Sequence, residues 1–187
     1  VKSDTGEVTA ISDSLKIAAY IERTFPDPER VLIPNGTLAF HAAFSQLCAD
    51  KIFSRVGPVV LESFIDKLVS KDWYIRTRKE LFEKAIEDIF AKGDEVETVL
   101  KNTEAGLDDL AKILDANNLG DTSSNNEKIC ARVMGEQFSY ADIVLVGALQ
   151  VIKLFAPMAW ARLKVRNGGR WEILMESYKE CLQASDV

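Results

Sequence analysis

A single histidine, His41, is all the imidazole this 187-residue chain carries. It falls in an apolar stretch, where a packed or partly exposed ring is expected rather than a ligand. A His-based metal site and a conventional Ser-His-Asp triad both lack material, and no metal is expected. Cysteine is equally sparse. Cys48, Cys130 and Cys181 are odd in number and match neither zinc-ligand spacing nor a secreted disulfide framework, which points to a reducing compartment, by default the cytoplasm. Cations are outnumbered, 23 Lys and Arg against 29 Asp and Glu, and a net charge of −6 argues against nucleic acid or an anionic membrane as partner. The densest basic stretch, Arg76, Arg78, Lys79 and Lys84, is interleaved with Glu80, Glu83 and Glu87 and reads as a solvated helix face. Long apolar runs are missing too. The stretch from Ile143 to Ala161 is interrupted by Lys153 and Pro157 and falls short of the ~20 residues a membrane span needs. The first fifteen residues are polar and lack the apolar core of a signal peptide.

What is present is a globular composition, 47% hydrophobic, sufficient for a full core. Downstream of Pro34 the apolar positions recur at helical spacing. Thr37 is placed to cap a helix carrying Phe40, Phe44 and Leu47 to about Arg55, and Gly57-Pro58 is expected to break it. A second stretch, 59–69, leads into an expected long amphipathic helix from Trp73 to Lys92, with Leu81, Ala85, Ile86 and Ile89 on its buried side. The next helix runs to about Asn117 with Gly106 as a weak point, and 119–126 reads as a loop. At Phe138-Ser139-Tyr140-Ala141-Asp142-Ile143, Ser139 and Asp142 have capping-box spacing, and Phe138 and Ile143 are placed for a hydrophobic staple. That pattern opens an apolar helix, 139–155, expected to be the most buried of the bundle. Two further helices are expected at about 157–165 and 169–182.

Near the start, Thr5 to Pro26 reads as a Gly turn, a short strand through Val8, Ala10 and Ile11, and an abruptly opened helix with Asp13-Ser14 at its entry. The first N–H groups of a helix have no intrahelical partner and carry the positive end of the dipole, so the entry suits a carboxylate. Asp and Ser are also preferred N-cap residues, so the local signal alone does not separate ligand binding from capping.

The segment as a whole resembles the end of the thioredoxin-like domain of cytosolic glutathione transferases, continuing as Ile17-Ala18 and Tyr20-Ile21-Glu22 to Phe25-Pro26. Trp73 to Glu87 resembles a helix of a fungal-specific class related to bacterial lignin β-etherases. Ser139-x-x-Asp142, preceded by Met134-Gly135-Glu136, resembles the capping motif of the family's central helix, and Arg170-Trp171-Glu172 with Met175 and Tyr178 resembles its closing helix. The resemblance implies a mainly α fold: residues 1–34 as the last strand and helix of a thioredoxin-like domain with its linker, and 35–187 as an all-α C-terminal helical bundle. It assigns Ser14 to the γ-glutamyl carboxylate of glutathione and Asp13 to its amine. Glutathione is then a cosubstrate, and a hydrophobic electrophile is the second partner. Phe40, Phe44 and Trp73 are candidates for the wall that the electrophile meets. The family's catalytic Tyr, Ser or Cys and its cis-proline loop have no counterpart in these residues and are expected upstream of Val1. The chain by itself is therefore expected to be inactive, and a homodimer is left open. Two other readings remain: a non-catalytic interaction or regulatory module on the same fold, and a plain helical scaffold that binds a partner.

Overall fold

The computed structural model describes residues 10–118 and 129–183, and among them the chain is helical, without a strand. Of the expected strand, Val8 lies outside the described residues and Ala10 and Ile11 are irregular; the expected 119–126 loop also lies outside them. Helix α1 (Ser14–Thr24) is joined by an irregular linker to α2 (Leu38–Cys48). Then come a π turn (Ala49–Phe53), α3 (Ser54–Asp66), α4 (Lys71–Phe82), a 3-10 turn (Ile86–Ile89) and α5 (Glu95–Leu114). Helices α6 (Tyr140–Phe155), α7 (Pro157–Leu163), α8 (Arg166–Ser177) and α9 (Lys179–Gln183) complete the bundle.

Helix α6 lies at the centre, as its apolar circumference requires. Eight of its sixteen residues are buried against six of twenty in α5, and it packs on α2, α3, α7 and α8. Leu145, Leu149 and Ile152 of α6 share one core with Cys48, Ile52 and Val56, with Leu107, Leu110 and Leu114 of α5, and with Trp171 and Leu174 of α8. The capping box forms as expected. Asp142, wholly buried, accepts from the Ser139 N–H at 3.0 Å, the Ser139 hydroxyl at 2.7 Å and the Val133 N–H at 2.7 Å. It thus fastens the preceding turn as well as the helix start. Phe138 packs its ring on Tyr178, centroids 5.1 Å apart, while Ile143 stays 40% exposed.

Three expectations fail for identifiable reasons. Gly57-Pro58 does not break the chain: both lie inside α3, four and five residues into it, and the irregularity is the π turn upstream. Pro58 denies the Ser54 carbonyl its usual N–H partner, yet its own carbonyl accepts from the Ala91 N–H at 2.9 Å, which holds this stretch in register. The helix expected from Trp73 to Lys92 ends at Phe82. Glu83 takes a left-handed conformation, φ 56°, and the chain re-enters as the 3-10 turn so that Ile86 becomes fully buried while Leu81 is exposed. Gly106, expected to weaken α5, is required there. A Cβ at that position would lie 2.0 Å from the Lys51 carbonyl oxygen, so the absence of a side chain lets the π turn pack directly on α5. At the C-terminal end, Asn167, Gly168 and Gly169 all have left-handed φ and kink α8 near its start.

Candidate functional site

Asp13 is the N-cap of α1: its Oδ1 accepts from the Leu15 N–H at 3.0 Å and the Lys16 N–H at 3.1 Å. Its backbone sits at φ 83°, ψ 126°, a conformation that costs a non-glycine residue roughly 1–3 kcal/mol. Strain of this kind persists only where the surroundings over-determine it, and here it accompanies the two cap bonds to Leu15 and Lys16. The Asp13 Oδ2 atom is not used by the cap.

Ser14 is the first helical residue and so is not the cap. Its N–H has no intrahelical acceptor, and its hydroxyl lies 2.8 Å from the hydroxyl of Tyr140. This separates the two roles that the sequence left joined: Asp13 closes the helix, and Ser14 keeps a backbone donor and one hydroxyl function for something else.

Tyr140 opens α6 and is nearly fully buried. Its ring meets His41 edge-on at 6.0 Å, and His41 in turn meets Phe40 at 5.3 Å. Phe40 and Phe44 lie tilted at 6.1 Å. The starts of α1, α2 and α6 therefore converge, and Ser14, Phe40 and Phe44 occupy one end of the bundle. Phe40 is 42% exposed and offers ring surface; Phe44 is only 3% exposed and backs it from the core. Trp73, 59% exposed, stands on α4, which packs on α3 and the 3-10 turn. Neither of those two elements carries Ser14, Phe40, Phe44 or Tyr140.

His41 is fully buried and neither ring nitrogen has a hydrogen-bond partner. Burial holds its pKa below the ordinary 6.5, with the Asp142 carboxylate pulling the other way. The ring is packed, one of the two placements expected of it, whereas Tyr140 was not singled out, because its bond to Ser14 joins positions 126 apart in the chain. Its only advance signal was its place one residue after a capping serine. Burial also pushes the Cys48 thiol up to about 12, which disfavours its thiolate; Cys130 and Cys181 are free thiols outside the site. Among the described residues, no group of His, Cys, Asp and Glu is arranged to hold a metal ion, and no helix is long and apolar enough to cross a membrane.

Comparison with known proteins gives a consistent picture. The family model described as glutathione S-transferase, C-terminal domain, matches residues 39–180. The chain is similar to the glutathione S-transferase-like protein ustS of Aspergillus flavus, 27% identical over 180 residues, covering 93% of this chain and 62% of ustS. It thus spans less than two thirds of that relative's length. Among solved structures it resembles the glutathione S-transferase CsGST83044 of Ceriporiopsis subvermispora in complex with glutathione, with 28% identity and a TM-score of 0.78 over 95% of this chain and 68% of that one. It also resembles CsGST63524 of the same fungus, again in complex with glutathione, with 27% identity and a TM-score of 0.75 over 96% of this chain and 74% of that one.

Proposed function

The chain belongs to the glutathione S-transferase family through its C-terminal-type helical domain, and from that premise we propose that it forms the helical domain and the γ-glutamyl-binding end of a fungal-type, cytoplasmic glutathione transferase acting on hydrophobic electrophiles. The observation that carries the reading is the division of labour at α1: Asp13 supplies the cap, leaving the Ser14 N–H and hydroxyl available at the positive end of the helix. The residues present suit an α-amino-carboxylate. Ser14 would hold the carboxylate, and the uncommitted Oδ2 of Asp13 would face the ammonium group. That two of the solved relatives are complexes with glutathione supports the same ligand here.

The γ-glutamyl carboxylate of glutathione lies about two residue lengths, roughly 7 Å, from the thiol. Residues holding that end cannot act on the sulfur, so thiol activation needs a group other than Asp13 and Ser14. Its task is to favour the thiolate, the attacking species, and to hold it against the electrophile. Phe40, backed by Phe44, supplies apolar surface at the same end of the bundle and is the better candidate wall; Trp73 would have to serve from a different face. The first helix adds support for residues 1–34 as part of a second domain, because Ile17, Ile21 and Phe25 leave an apolar side of α1 in solvent.

The test is calorimetric titration of glutathione into the full-length protein. A hydrogen bond to a charged group is worth roughly 1.5–3 kcal/mol, so Ser14→Ala should weaken binding about ten- to a hundredfold. Wild-type affinity in that variant would remove the site. The non-catalytic alternative predicts glutathione binding without conjugation of an aryl halide by the full-length protein. For the 187-residue chain alone no turnover is expected, and robust turnover would mean that another of its own residues activates the thiol.

A further inference from the structure

The Ser14 hydroxyl is held by a residue of the helical domain that is itself fixed at several points. Glu22 Oε1, on α1, accepts from the Leu32 N–H in the linker at 2.8 Å. The Leu32 carbonyl accepts from the Tyr140 N–H at 2.8 Å. The Tyr140 hydroxyl then returns to α1, 2.8 Å from Ser14 Oγ. These bonds close a circuit from α1 through the linker and the start of α6 back to the start of α1. Behind Tyr140, the Ser139–Asp142 pair fixes the first turn of α6, and His41 lies edge-on to its ring at an interplanar angle of 84°. The tyrosine has little freedom to follow Ser14, so Ser14 must accommodate Tyr140.

Resting on the assignment of Ser14 to the γ-glutamyl carboxylate, we propose that Tyr140 is a positioning residue for glutathione: it donates its phenolic hydrogen to Ser14 Oγ and thereby turns the serine hydrogen toward the carboxylate. In the free site either oxygen can be the donor. A bound carboxylate accepts only, so Ser14 must spend its single hydrogen on the ligand. The Tyr140 bond then survives in one direction, phenol to serine. Two hydroxyls in series toward an anion polarise one another, which strengthens the terminal bond. Tyr140 touches no ligand atom in this arrangement. Its effect passes entirely through Ser14, and it makes a side chain of the helical domain a determinant of affinity at the start of α1.

This indirect action sets the experiment. Glutathione affinity is measured by calorimetry on the full-length protein as wild type, Tyr140→Phe, Ser14→Ala and the double variant. Phenylalanine keeps the ring against His41 and deletes only the hydroxyl, so a neutral hydrogen bond's contribution predicts about a three- to tenfold loss of affinity for Tyr140→Phe in the wild-type background. In the Ser14→Ala background the same substitution should have no effect. A glutathione analogue lacking the γ-glutamyl α-carboxylate should bind wild type and Tyr140→Phe equally. If Ser14→Ala weakens binding but Tyr140→Phe does not, the positioning role is overturned while the site stands. Equal losses from Tyr140→Phe in both backgrounds would mean a general structural effect and also overturn it. If Ser14→Ala leaves affinity unchanged, the site assignment and the inference fall together.

Discussion

Replacing Asp142 by Ala should destabilise the protein well beyond the loss of an ordinary helix cap. An exposed cap is worth about 0.5–2 kcal/mol. Asp142 is wholly buried and is the acceptor for three donors, two of them backbone N–H groups at Val133 and Ser139. Truncation leaves both without a partner, at roughly 1–3 kcal/mol each. The Ser139 hydroxyl can rotate elsewhere, so it adds little. Removing a charge from a buried position works in the opposite direction, and together these place the expected loss at about 3–4 kcal/mol. Urea unfolding followed by the fluorescence of Trp73, Trp160 and Trp171 measures it, with Ser139→Ala as the control that deletes only the hydroxyl. The ionisation of Asp142 adds a second signature. Burial raises its pKa above 3.8, although the three donors favour the carboxylate. A raised folded-state pKa gives a contribution that is fully present below 3.8 and declines as pH rises through the folded value. The gap between wild type and Asp142→Ala should therefore narrow from acid toward neutral pH. A loss below about 1 kcal/mol, or one no larger than that of Ser139→Ala, would refute the idea that this carboxylate holds the 133–139 turn.

His41 predicts an acid limb in stability. Its folded pKa is depressed, so its contribution is present above 6.5 and is lost as pH falls through the folded value, at up to about 1.4 kcal/mol per pH unit. His41→Leu should flatten that slope below pH 6.5, and parallel wild-type and variant curves would show that the ring is hydrated in solution. Gly106→Ala, favourable by helix propensity alone, should instead cost about 3 kcal/mol, because the added methyl meets the Lys51 carbonyl; a rise in melting temperature would contradict the close approach. Asp13→Asn keeps a capping oxygen and tolerates positive φ, so the melt should shift by less than about 0.5 kcal/mol while glutathione binding weakens in calorimetry. Unchanged affinity would leave Asp13 with the cap as its sole role.

The helical class and the central position of α6 were legible because both rest on local pattern: apolar residues around most of the circumference, opened by a serine and an aspartate three residues apart. The failures came where a distant partner overruled local preference. From Trp73 to Lys92 the periodicity continues through Glu83, and neither Gly nor Pro marks a stop. The chain nevertheless turns left-handed at Glu83, because a straight helix would leave Ile86 without the burial it gains in the 3-10 turn. Gly57-Pro58 is the converse case. A strong local stop signal is overridden inside α3, where an unusual acceptor, the Pro58 carbonyl, is taken up by Ala91 33 positions on. Gly106 read as weakness for the same reason: propensity scales count the entropy of a glycine but not the carbonyl that lies against it.

The candidate site was half legible, and the half that was not is the contact that joins Ser14 to Tyr140. Asp13 and Ser14 could be singled out because acidic and hydroxyl residues at a helix entry suit both a cap and an anion. Those alternatives read as exclusive while the pair was treated as one unit. With the residues one position apart on the helix, both can hold: Asp13 stops the helix with one oxygen, at a strained φ of 83°, and Ser14 turns its hydroxyl to Tyr140. A Ser14 substitution is therefore a sharper probe than the sequence implied, since removing its hydroxyl leaves the cap bonds to Leu15 and Lys16 intact. Loss of affinity in Ser14→Ala cannot be put down to an unravelled α1, and any loss of stability must come through the single bond to Tyr140. That bond joins segments far apart in the chain, so no window of sequence around either residue contains it.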